Sequence, residues 1–446
     1  MPRNAPASQY SRRQFVQTVG LAATLGSSLQ AAATQRSRER VRLGLIGCGG
    51  RGRELLQVFG EFPDVEIAAV SDVNEPRMSQ AVKTLAAAKA THRCEQVLEY
   101  RRIIDRKDID AVLIATTQHW HGLPFIHAAQ AGKHIYVEKP LSHTVAEGRA
   151  MVTAARRSGV IAMMGSQQRN YPHFQQAHEI VRSGRLGDIA LVECWNYHNT
   201  GNRVGHHPDA DPPAGLHWDL WLGPAPNVPF NPGRLNNSWW FDYAGGMLTN
   251  WAVHHIDIIL WTMQANWPDG VACPGGKFVV DDMADTPDTV EATWKFPEFL
   301  LRYAYRGFNN FHVVQSRPAQ HGICFHGNRA TMVLDRSGFE IWEDRDPNKS
   351  VQKVANPRFW QDGKPGNEVD GPWQRLFVDC VRNGKQPPID LEESHRATAL
   401  CHLANIAYRT GRSFQWEGPT ESIRNDTEAT ALLARPRRAG YELPLG

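Results

Sequence analysis

The chain has 446 residues, 41% of them hydrophobic and 21% charged, which is enough for two globular domains. Its formal charge of +3 disappears without residues 1–33, whose only charged residues are Arg3, Arg12 and Arg13. This balance argues against nucleic acid or an anionic membrane surface as a partner. The seven cysteines include no Cys-x-x-Cys pair, which argues against a zinc ribbon or a disulfide framework.

Residues 1–33 are predicted to be a signal peptide. The sequence Ser11-Arg12-Arg13-Gln14-Phe15 precedes a mildly apolar run, and an Ala-x-Ala site ends at Ala33. The paired arginines followed by Phe15 resemble a twin-arginine export signal, so we expect an exported protein, periplasmic or extracellular. The alternative is a disordered basic tail. No later stretch has the about 18 consecutive apolar residues of a membrane span, so no membrane partner is predicted.

Residues 41–165 are predicted to form a dinucleotide-binding Rossmann domain. The apolar strand 41–46 is followed at once by Gly47-Cys-Gly49-Gly50-Arg51-Gly52 and then by a helical pattern. The Gly-x-Gly-x-x-Gly spacing permits a tight turn, close approach of the backbone to a pyrophosphate, and close packing of helix on strand. The phosphates are expected at the N-terminus of that helix, where free N–H groups favour an anion.

Asp72 is expected to select NAD as the cofactor. It ends a second apolar strand, 65–71, twenty residues after Gly52, where a carboxylate would bind the adenosine ribose hydroxyls. An acid there repels a 2′-phosphate, and the next basic residue is Arg77, so NAD is favoured over NADP. The alternative is an ordinary turn residue at the end of the strand.

Alternating strands and helices continue to residue 165, which indicates an α/β fold with a doubly wound parallel sheet. The strand 110–116 leads into Thr116-Thr-Gln-His119-Trp-His121 at the expected cleft edge, where Thr116 and His121 are cofactor candidates. A packing role at the start of a helix is the alternative for both histidines. The next strand, 134–137, runs directly into Glu138-Lys139-Pro140.

These motifs together resemble the glucose-fructose oxidoreductase, inositol dehydrogenase and MocA (Gfo/Idh/MocA) family. The third motif is Gly245-Gly246 leading to His254-His255-Ile-Asp257. The resemblance implies that residues 166–410 form a C-terminal α/β domain on an open, mostly antiparallel sheet. It also implies a homo-oligomer, either a dimer or a tetramer. Residues 411–446 are then expected to be a C-terminal tail.

The same resemblance implies the catalytic residues. Lys139 would hold the substrate oxygen and His254 would be the base, while Glu138 would lie nearer the cofactor and a cis bond would precede Pro140. Asn250 stands where the family often has Asp, and an amide cannot take a proton or raise the basicity of His254. His254 therefore acts with Lys139 alone, or the chemistry of this branch has changed.

A segment rich in Trp, Pro and Asn, near residues 199–242, is expected to be a long, structured loop. Tryptophan faces suit the C–H faces of sugar rings, although packing in a small core is the alternative. His206, His207 and His217 match no common metal spacing, so no metal is predicted. The candidate substrate contacts are Arg169, Trp218, Trp240, Tyr243 and His255.

The leading function is therefore an exported NAD(H)-dependent oxidoreductase acting on a secondary hydroxyl of a sugar, glycoside or cyclitol, with a tightly retained cofactor. The second is an NAD-recycling glycoside hydrolase or lyase that oxidises its substrate transiently and eliminates the aglycone. The third, which Asn250 alone supports, is a non-catalytic sugar-binding protein.

Overall fold

The computed structural model describes residues 40–87, 94–311, 320–346, 349–356, 360–361, 364–365 and 371–444. The predicted signal peptide lies outside the described residues. Within these ranges, no helix combines the length and the apolar character needed to cross a bilayer.

The N-terminal domain is built on a six-stranded sheet with the order β3-β2-β1-β4-β5-β6, in which every pairing is parallel. The strands are β1 Val41–Ile46, β2 Val65–Ser71, β3 Glu95–Val97, β4 Ala111–Ile114, β5 His134–Val137 and β6 Ala162–Met164. The helices are α1 Gly50–Gly60, α2 Glu75–Ala87, α3 Arg101–Asp105, α4 Gly122–Gln130 and α5 Val145–Ser158. The expected doubly wound fold is confirmed. Because β1 lies between β2 and β4, the strand order reverses beside β1, which is where such sheets bind ligands.

The C-terminal domain is built on an eleven-stranded, mostly antiparallel sheet, as expected. Its order is β15-β14-β13-β12-β7-β11-β10-β8-β18-β19, with β9 beside β10, and β7 pairs with β11 in parallel. Its strands are β7 Ile189–Tyr197, β8 Gly270–Ala272, β9 Gly275–Gly276, β10 Thr289–Lys295, β11 Leu300–Arg306, β12 His321–Gly327, β13 Ala330–Asp335, β14 Gly338–Glu343, β15 Ser350–Ala355, β18 Phe414–Glu417 and β19 Ser422–Ile423. Two further strands, β16 Trp360–Gln361 and β17 Lys364–Pro365, form a separate hairpin.

Helices cover one face of this sheet and carry part of the site. They are α6 Pro172–Arg182, α7 Trp218–Leu222, α8 Val253–Met263, α10 Leu391–Thr410 and α11 Thr427–Ala431. The remaining helix, α9 Pro372–Asn383, packs instead on the N-terminal domain, where Phe377 contacts Phe59 and Tyr136. Along β10, Val290, Ala292 and Trp294 alternate with more exposed residues, and the Trp294 indole donates a 3.1 Å hydrogen bond to the Leu400 carbonyl in α10. Burial of this alternate set fixes which face of the sheet the helices cover.

Residues 411–444 do not form a separate tail. The strand β18 pairs with β8 and β19, α11 follows, and the chain then returns to the N-terminal domain. The physical reason is that β8 is a short strand with a free edge, which β18 covers.

Candidate active site

The glycine turn after β1 has the compact geometry that its spacing predicts. Gly47 has φ +99°, and a Cβ there would lie 2.6 Å from the backbone of Ala115 and Thr116. A Cβ on Gly52 would lie 2.0 Å from the Gly47 carbonyl oxygen, so only glycine permits this approach of α1 to the strand. Nothing lies within 4 Å of the Cβ position of Gly50, the first residue of α1. The helix N-terminus therefore faces open space, where it can bind an anion.

Asp72 is fixed at the end of β2 by two backbone amides. Cys48 N donates to Oδ2 at 2.6 Å and Asn74 N donates to Oδ1 at 2.8 Å. Burial raises the pKa of this carboxyl, and the amide hydrogen bonds oppose that shift. Asp72 is thereby tied to the glycine turn itself, and both line the same cleft.

That cleft has a volume of about 390 Å³ and runs from the glycine turn and Asp72 to Lys139 and Asn250. Nine of the ten predicted cofactor residues line this cleft: Gly47, Gly49, Gly50, Arg51, Asp72, Thr116, His121, Glu138 and Lys139. The tenth, Gly52, packs against the glycine turn. The Thr116 hydroxyl is buried without a hydrogen-bond partner among the described residues. His121 Nδ1 lies 2.8 Å from the Pro140 carbonyl, so this ring also supports the backbone after Lys139.

Glu138 and Arg51 join the two halves of the cofactor cleft. Arg51 Nε donates to Glu138 Oε1 at 2.8 Å, and only 7% of the glutamate side chain is exposed. Arg51 lies in the first turn of α1 and Glu138 follows β5, so the ion pair connects the glycine turn to the segment that carries Lys139.

Lys139 lies at the end of the cleft and is held by Asn250. Its Nζ donates to the Asn250 carbonyl at 2.8 Å and to the amide Oδ1 at 3.0 Å. The bond between Lys139 and Pro140 is cis, as the family resemblance implied. Burial lowers the pKa of Lys139 to about 8; Glu138 opposes this, while Arg336 and Arg51 add to it. Lys139 therefore changes its protonation state close to neutral pH.

His254 lies in the first turn of α8 and is buried beside Lys139. Burial, followed by the charges of Lys139 and Arg336, holds the pKa of His254 well below its usual value. A π-helical turn, Leu248–Ala252, precedes α8 and carries Asn250. This wider turn breaks the regular spacing of four residues, yet it still brings Asn250 and His254 to the same lysine.

Arg336 is a cation near the site that the sequence did not indicate. It lies in the β13–β14 hairpin, with its guanidinium 4.5 Å from the centre of the Trp251 ring. With the Gln168 amide turned to match its neighbours, Gln168 Oε1 accepts from Arg336 Nη2 at 3.1 Å and from Nε at 3.0 Å. No ion pair joins Arg336 to an acid within the described ranges. A turn residue almost 200 positions from Lys139 gives no local signal of this proximity.

Two of the candidate substrate residues, Arg169 and His255, do not line the cleft. Arg169 forms two 2.8 Å hydrogen bonds to Asp257 and one of 2.7 Å to Glu393, and 3% of its side chain is exposed. His255 is buried against Trp251 and His321. Arg169 neutralises the buried Asp257, which the family motif had placed one turn beyond His254, and His255 is enclosed by other rings. Both positions therefore favour structural roles.

Trp218, Trp240 and Tyr243 pack in or against the core of the C-terminal domain and do not line the cleft. Trp218 stacks on Trp221 with ring centres 4.6 Å apart, and the Trp240 indole donates to the Gly233 carbonyl. The Tyr243 hydroxyl accepts a 3.0 Å hydrogen bond from Arg234. The insertion instead contributes Leu220, Trp221, Asn237 and Ser238 to the cleft.

Two histidines of the insertion, His206 and His217, pair with acids at its surface. His206 lies 3.1 Å from Asp281 and His217 lies 2.7 Å from Glu75. Across the described ranges, no three or more His, Cys, Asp or Glu side chains are grouped so as to hold a metal ion.

The cleft residues fit NAD. The glycine turn and the N-terminus of α1 suit its pyrophosphate, Asp72 suits ribose hydroxyls, and the unpartnered Thr116 hydroxyl offers a further polar contact. When bound, NAD supplies a nicotinamide ring that accepts or returns hydride. The protein contributes the amine of Lys139 at the end of this cleft. The imidazole of His254 does not line the cleft and is buried beside that lysine.

Fold and site together define a dinucleotide-binding oxidoreductase with a separate substrate domain. The family model described as "Oxidoreductase family, NAD-binding Rossmann fold" matches residues 41–166. The model described as "Oxidoreductase family, C-terminal alpha/beta domain" matches residues 180–297 and 368–443. The chain belongs to the Gfo/Idh/MocA oxidoreductase family. The predicted family, fold class, NAD cofactor and oxidoreductase class are confirmed.

Similar proteins include an uncharacterized oxidoreductase, YrbE, of Bacillus subtilis, which is 32% identical over 35% of this chain and 44% of its own length. An alpha-N-acetylgalactosaminidase of Shewanella oneidensis is 32% identical over 36% of each chain. The matched segment thus spans less than half of these curated relatives. A levoglucosan dehydrogenase in complex with NADH and levoglucosan has a TM-score of 0.62 at 17% identity, covering 84% of this chain and 99% of its own, which shows a shared fold.

Proposed function

We propose that this protein oxidises or reduces a secondary hydroxyl of a sugar, glycoside or cyclitol with NAD(H). The observation that carries the proposal is Lys139, whose ammonium group is held by Asn250 at the end of the cofactor cleft. Its pKa of about 8 suits a group that gains and loses a proton near neutral pH. The levoglucosan dehydrogenase of the same fold supports a sugar-like substrate.

Lys139 is the proton acceptor in this proposal. Oxidation of an alcohol releases the hydroxyl proton as hydride leaves the same carbon, and the neutral amine of Lys139 takes that proton. In the reduction direction the ammonium returns it to the carbonyl oxygen. The family resemblance had implied His254 as the base. Its lowered pKa favours instead a neutral imidazole that hydrogen-bonds the substrate hydroxyl.

The substrate is expected to lie between Lys139, His254 and the insertion. Trp221, Asn237 and Ser238 of the insertion line the cleft, so an indole and two polar side chains are candidates to contact a ring with hydroxyl groups. Trp221 takes the place of Trp218 and Trp240 as the aromatic candidate, because those two pack away from the cleft.

The test is a substrate screen that follows NADH absorbance, with Lys139→Met as the loss-of-function variant. Lys107, which is exposed and outside the cleft, gives the matched control Lys107→Met. We expect turnover with wild type and control, and turnover about 10²–10⁴-fold slower with Lys139→Met. Full turnover by Lys139→Met would overturn the proposal. NAD released by denaturing the purified protein tests cofactor retention, and a protein that releases none contradicts it.

A glycoside hydrolase or lyase reaction is the second candidate, and the alpha-N-acetylgalactosaminidase relative favours it. Oxidation of a ring carbon acidifies the adjacent C–H, whose proton then leaves together with the aglycone. Water adds and the hydride returns, so the net reaction is redox-neutral. Nitrophenyl glycosides offered without added NAD test it. Release of nitrophenol that Lys139→Ala abolishes supports hydrolysis, and NADH formation with free sugars supports net oxidation. A protein that binds NAD and sugar without either activity is the sugar-binding alternative.

We also propose that the protein is exported, which the Arg12-Arg13 motif supports. Because the twin-arginine route carries folded proteins, a cofactor that is bound in the cytoplasm can be exported with the protein and retained. Cell fractionation of wild type and of Arg12→Lys/Arg13→Lys tests this. We expect the wild type outside the cytoplasm and the double variant inside it, and the same distribution for both would contradict export.

We also propose a homo-oligomer, with the face of the large sheet opposite the helices as its candidate interface, although 3–6% of each apolar residue there is exposed in the single chain. Trp195, Ala304, Cys324, Val333 and Trp342 form a small apolar cluster on the face opposite the helices. Light scattering after gel filtration gives the mass. Trp342→Glu should lower the mass if this face is the interface, and an unchanged mass excludes it.

A further inference from the structure

The last described residues of the chain, 433–444, cross from the C-terminal domain to the cofactor domain. We call them the C-terminal strap. Backbone hydrogen bonding begins at Leu433, whose carbonyl accepts from Ala146 N in α5 at 3.0 Å. Arg435 Nη2 then donates to the His119 carbonyl at 2.7 Å, and Gln130 Nε2 donates to the Pro444 carbonyl at 3.1 Å. The strap therefore contacts the N-terminal domain along its whole length.

A buried carboxylate anchors the strap. The Glu147 side chain is fully buried in the first turn of α5, and it pairs with Arg437 and lies 3.8 Å from Arg435. Its Oε1 also accepts from His143 N at 3.2 Å. A buried carboxylate without its partner is costly, so Glu147 strongly favours the docked position of the strap. The anchor follows Lys139-Pro140 by only a few residues, so the strap is attached to the segment that carries the catalytic lysine.

Beyond the anchor, the strap delivers an aromatic ring to the cofactor cleft. Tyr441 lines the cleft together with Tyr100 and Trp120. The Tyr441 and Trp120 ring centres are 5.5 Å apart at 84°, and those of Trp120 and Tyr100 are 5.9 Å apart at 75°. Both arrangements are edge-to-face contacts, which stabilise aromatic pairs. Three rings from distant parts of the sequence thus form one aromatic wall.

The strap also contacts the insertion, which contributes lining residues to the cleft. Arg438 pairs with Asp219 in α7, and its guanidinium lies 5.5 Å from the centre of the Tyr441 ring. Tyr441 is therefore held from both sides, by Trp120 of the cofactor domain and by Arg438 over its face. The ring is fixed in position before any cofactor arrives, which reduces the entropy lost on binding.

We propose that the C-terminal strap is part of the NAD site and slows NAD release, with Tyr441 as its cofactor-binding residue. The wall of Tyr100, Trp120 and Tyr441 offers apolar aromatic surface to a dinucleotide, and Tyr441 is the one member supplied from the far end of the chain. Loss of such contacts acts mainly on dissociation rates. The inference depends on the NAD cofactor and not on which substrate is oxidised.

The experiment compares NADH release from the full-length wild type and Tyr441→Ala, followed by the loss of protein-bound NADH fluorescence after mixing with excess NAD. Release should be about two- to tenfold faster in the variant, because one aromatic contact to the cofactor is lost. Tyr441→Phe should release NADH like the wild type, because the ring is retained. Tyr408→Ala, in α10 and outside the cleft, is the matched control.

Equal release rates for wild type and Tyr441→Ala would overturn the proposal, as would a wild type that binds no NADH. The second outcome is a failure of cofactor binding and is visible in the wild type alone. If the variant does not fold, hydrogen exchange of the wild type with and without NAD provides an independent test. NAD should slow exchange across residues 433–444, and exchange that is unaffected by NAD would also contradict a role for the strap.

Discussion

Lys139 Nζ donates to both oxygens of Asn250, the backbone carbonyl at 2.8 Å and the amide Oδ1 at 3.0 Å. Both acceptors are neutral, so the buried ammonium is hydrogen-bonded without a carboxylate at this position. Glu138 provides some compensation, but it is also paired with Arg51. This arrangement explains why burial lowers the pKa of Lys139 to about 8.

The rate of substrate oxidation should follow the titration of Lys139. If the neutral amine takes the hydroxyl proton, kcat/KM for oxidation rises with pH and levels off above about 8, whereas kcat/KM for reduction falls over the same range. Lys139→Met should lower kcat by about 10²–10⁴-fold and remove the pH step. Initial rates from pH 6 to 10 check this, and oxidation that slows through pH 8 would instead identify the ammonium as the active form.

Asn250→Asp should move that pH step upward. The variant places a carboxylate about where the amide oxygen now lies 3.0 Å from Nζ, and an adjacent negative charge stabilises the ammonium. We expect the midpoint of the pH profile to rise by about one pH unit or more. Asn250→Ala is the control, because it keeps the backbone contact and adds no charge. A midpoint that does not move in Asn250→Asp would show that Lys139 is not the titrating group.

Asp72→Asn should weaken the preference for NAD over NADP. The amide oxygen can accept from only one of the two donors, Cys48 N or Asn74 N, so the variant loses one hydrogen bond of the turn together with the charge that repels a 2′-phosphate. We expect the ratio of kcat/KM for NAD to that for NADP to fall by about tenfold, since about 1.4 kcal/mol of repulsion is a factor of ten. Arg77 lines the same cleft and is available to the phosphate. An unchanged ratio would show that Asp72 has only the role of a turn residue.

Acid should destabilise the folded protein from about pH 6.5 downward. Burial lowers the pKa of His119 and His321 to about 3 and that of His402 to about 4. Below the ordinary pKa of 6.5 these histidines take up protons only in the unfolded chain. Each therefore removes about 1.4 kcal/mol of unfolding free energy per pH unit until its folded pKa is reached. Urea denaturation at pH 7.5, 6.0 and 5.0 measures this, and equal stability at all three would contradict it.

Arg169→Met should destabilise the fold rather than impair NAD binding. The variant leaves Asp257 buried and unpaired at a position where 3% of each side chain is exposed, which costs about 3–5 kcal/mol. Arg302→Met, which breaks surface ion pairs of β11, is the control and should cost less than about 1 kcal/mol. Urea denaturation and NADH titration separate the two effects. Normal stability combined with a raised KM for substrate would restore Arg169 as a substrate contact.

Local sequence patterns predicted those site residues whose positions depend only on their neighbours in the chain. The glycine spacing requires a tight turn wherever it occurs, and Asp72 and Glu138 directly follow strands, so their positions at the cleft follow from the parallel sheet. Lys139 and Asn250 were predicted through the family resemblance, and the structure brings them together. The assignments of Arg169, His255, Trp218, Trp240 and Tyr243 rested on residue type, which cannot distinguish a side chain facing a cleft from one packed in a core.

The sequence by itself determined the fold class, the NAD cofactor and the position of Glu138-Lys139-Pro140 after a buried strand, because those depend on residues close together in the chain. Only the tertiary structure decided the surroundings of Lys139. The charge of Arg336 and the π turn that carries Asn250 come from residues about 200 and about 110 positions away. Burial and Coulomb interactions act through space, so the pKa of Lys139 depends on how the two domains pack.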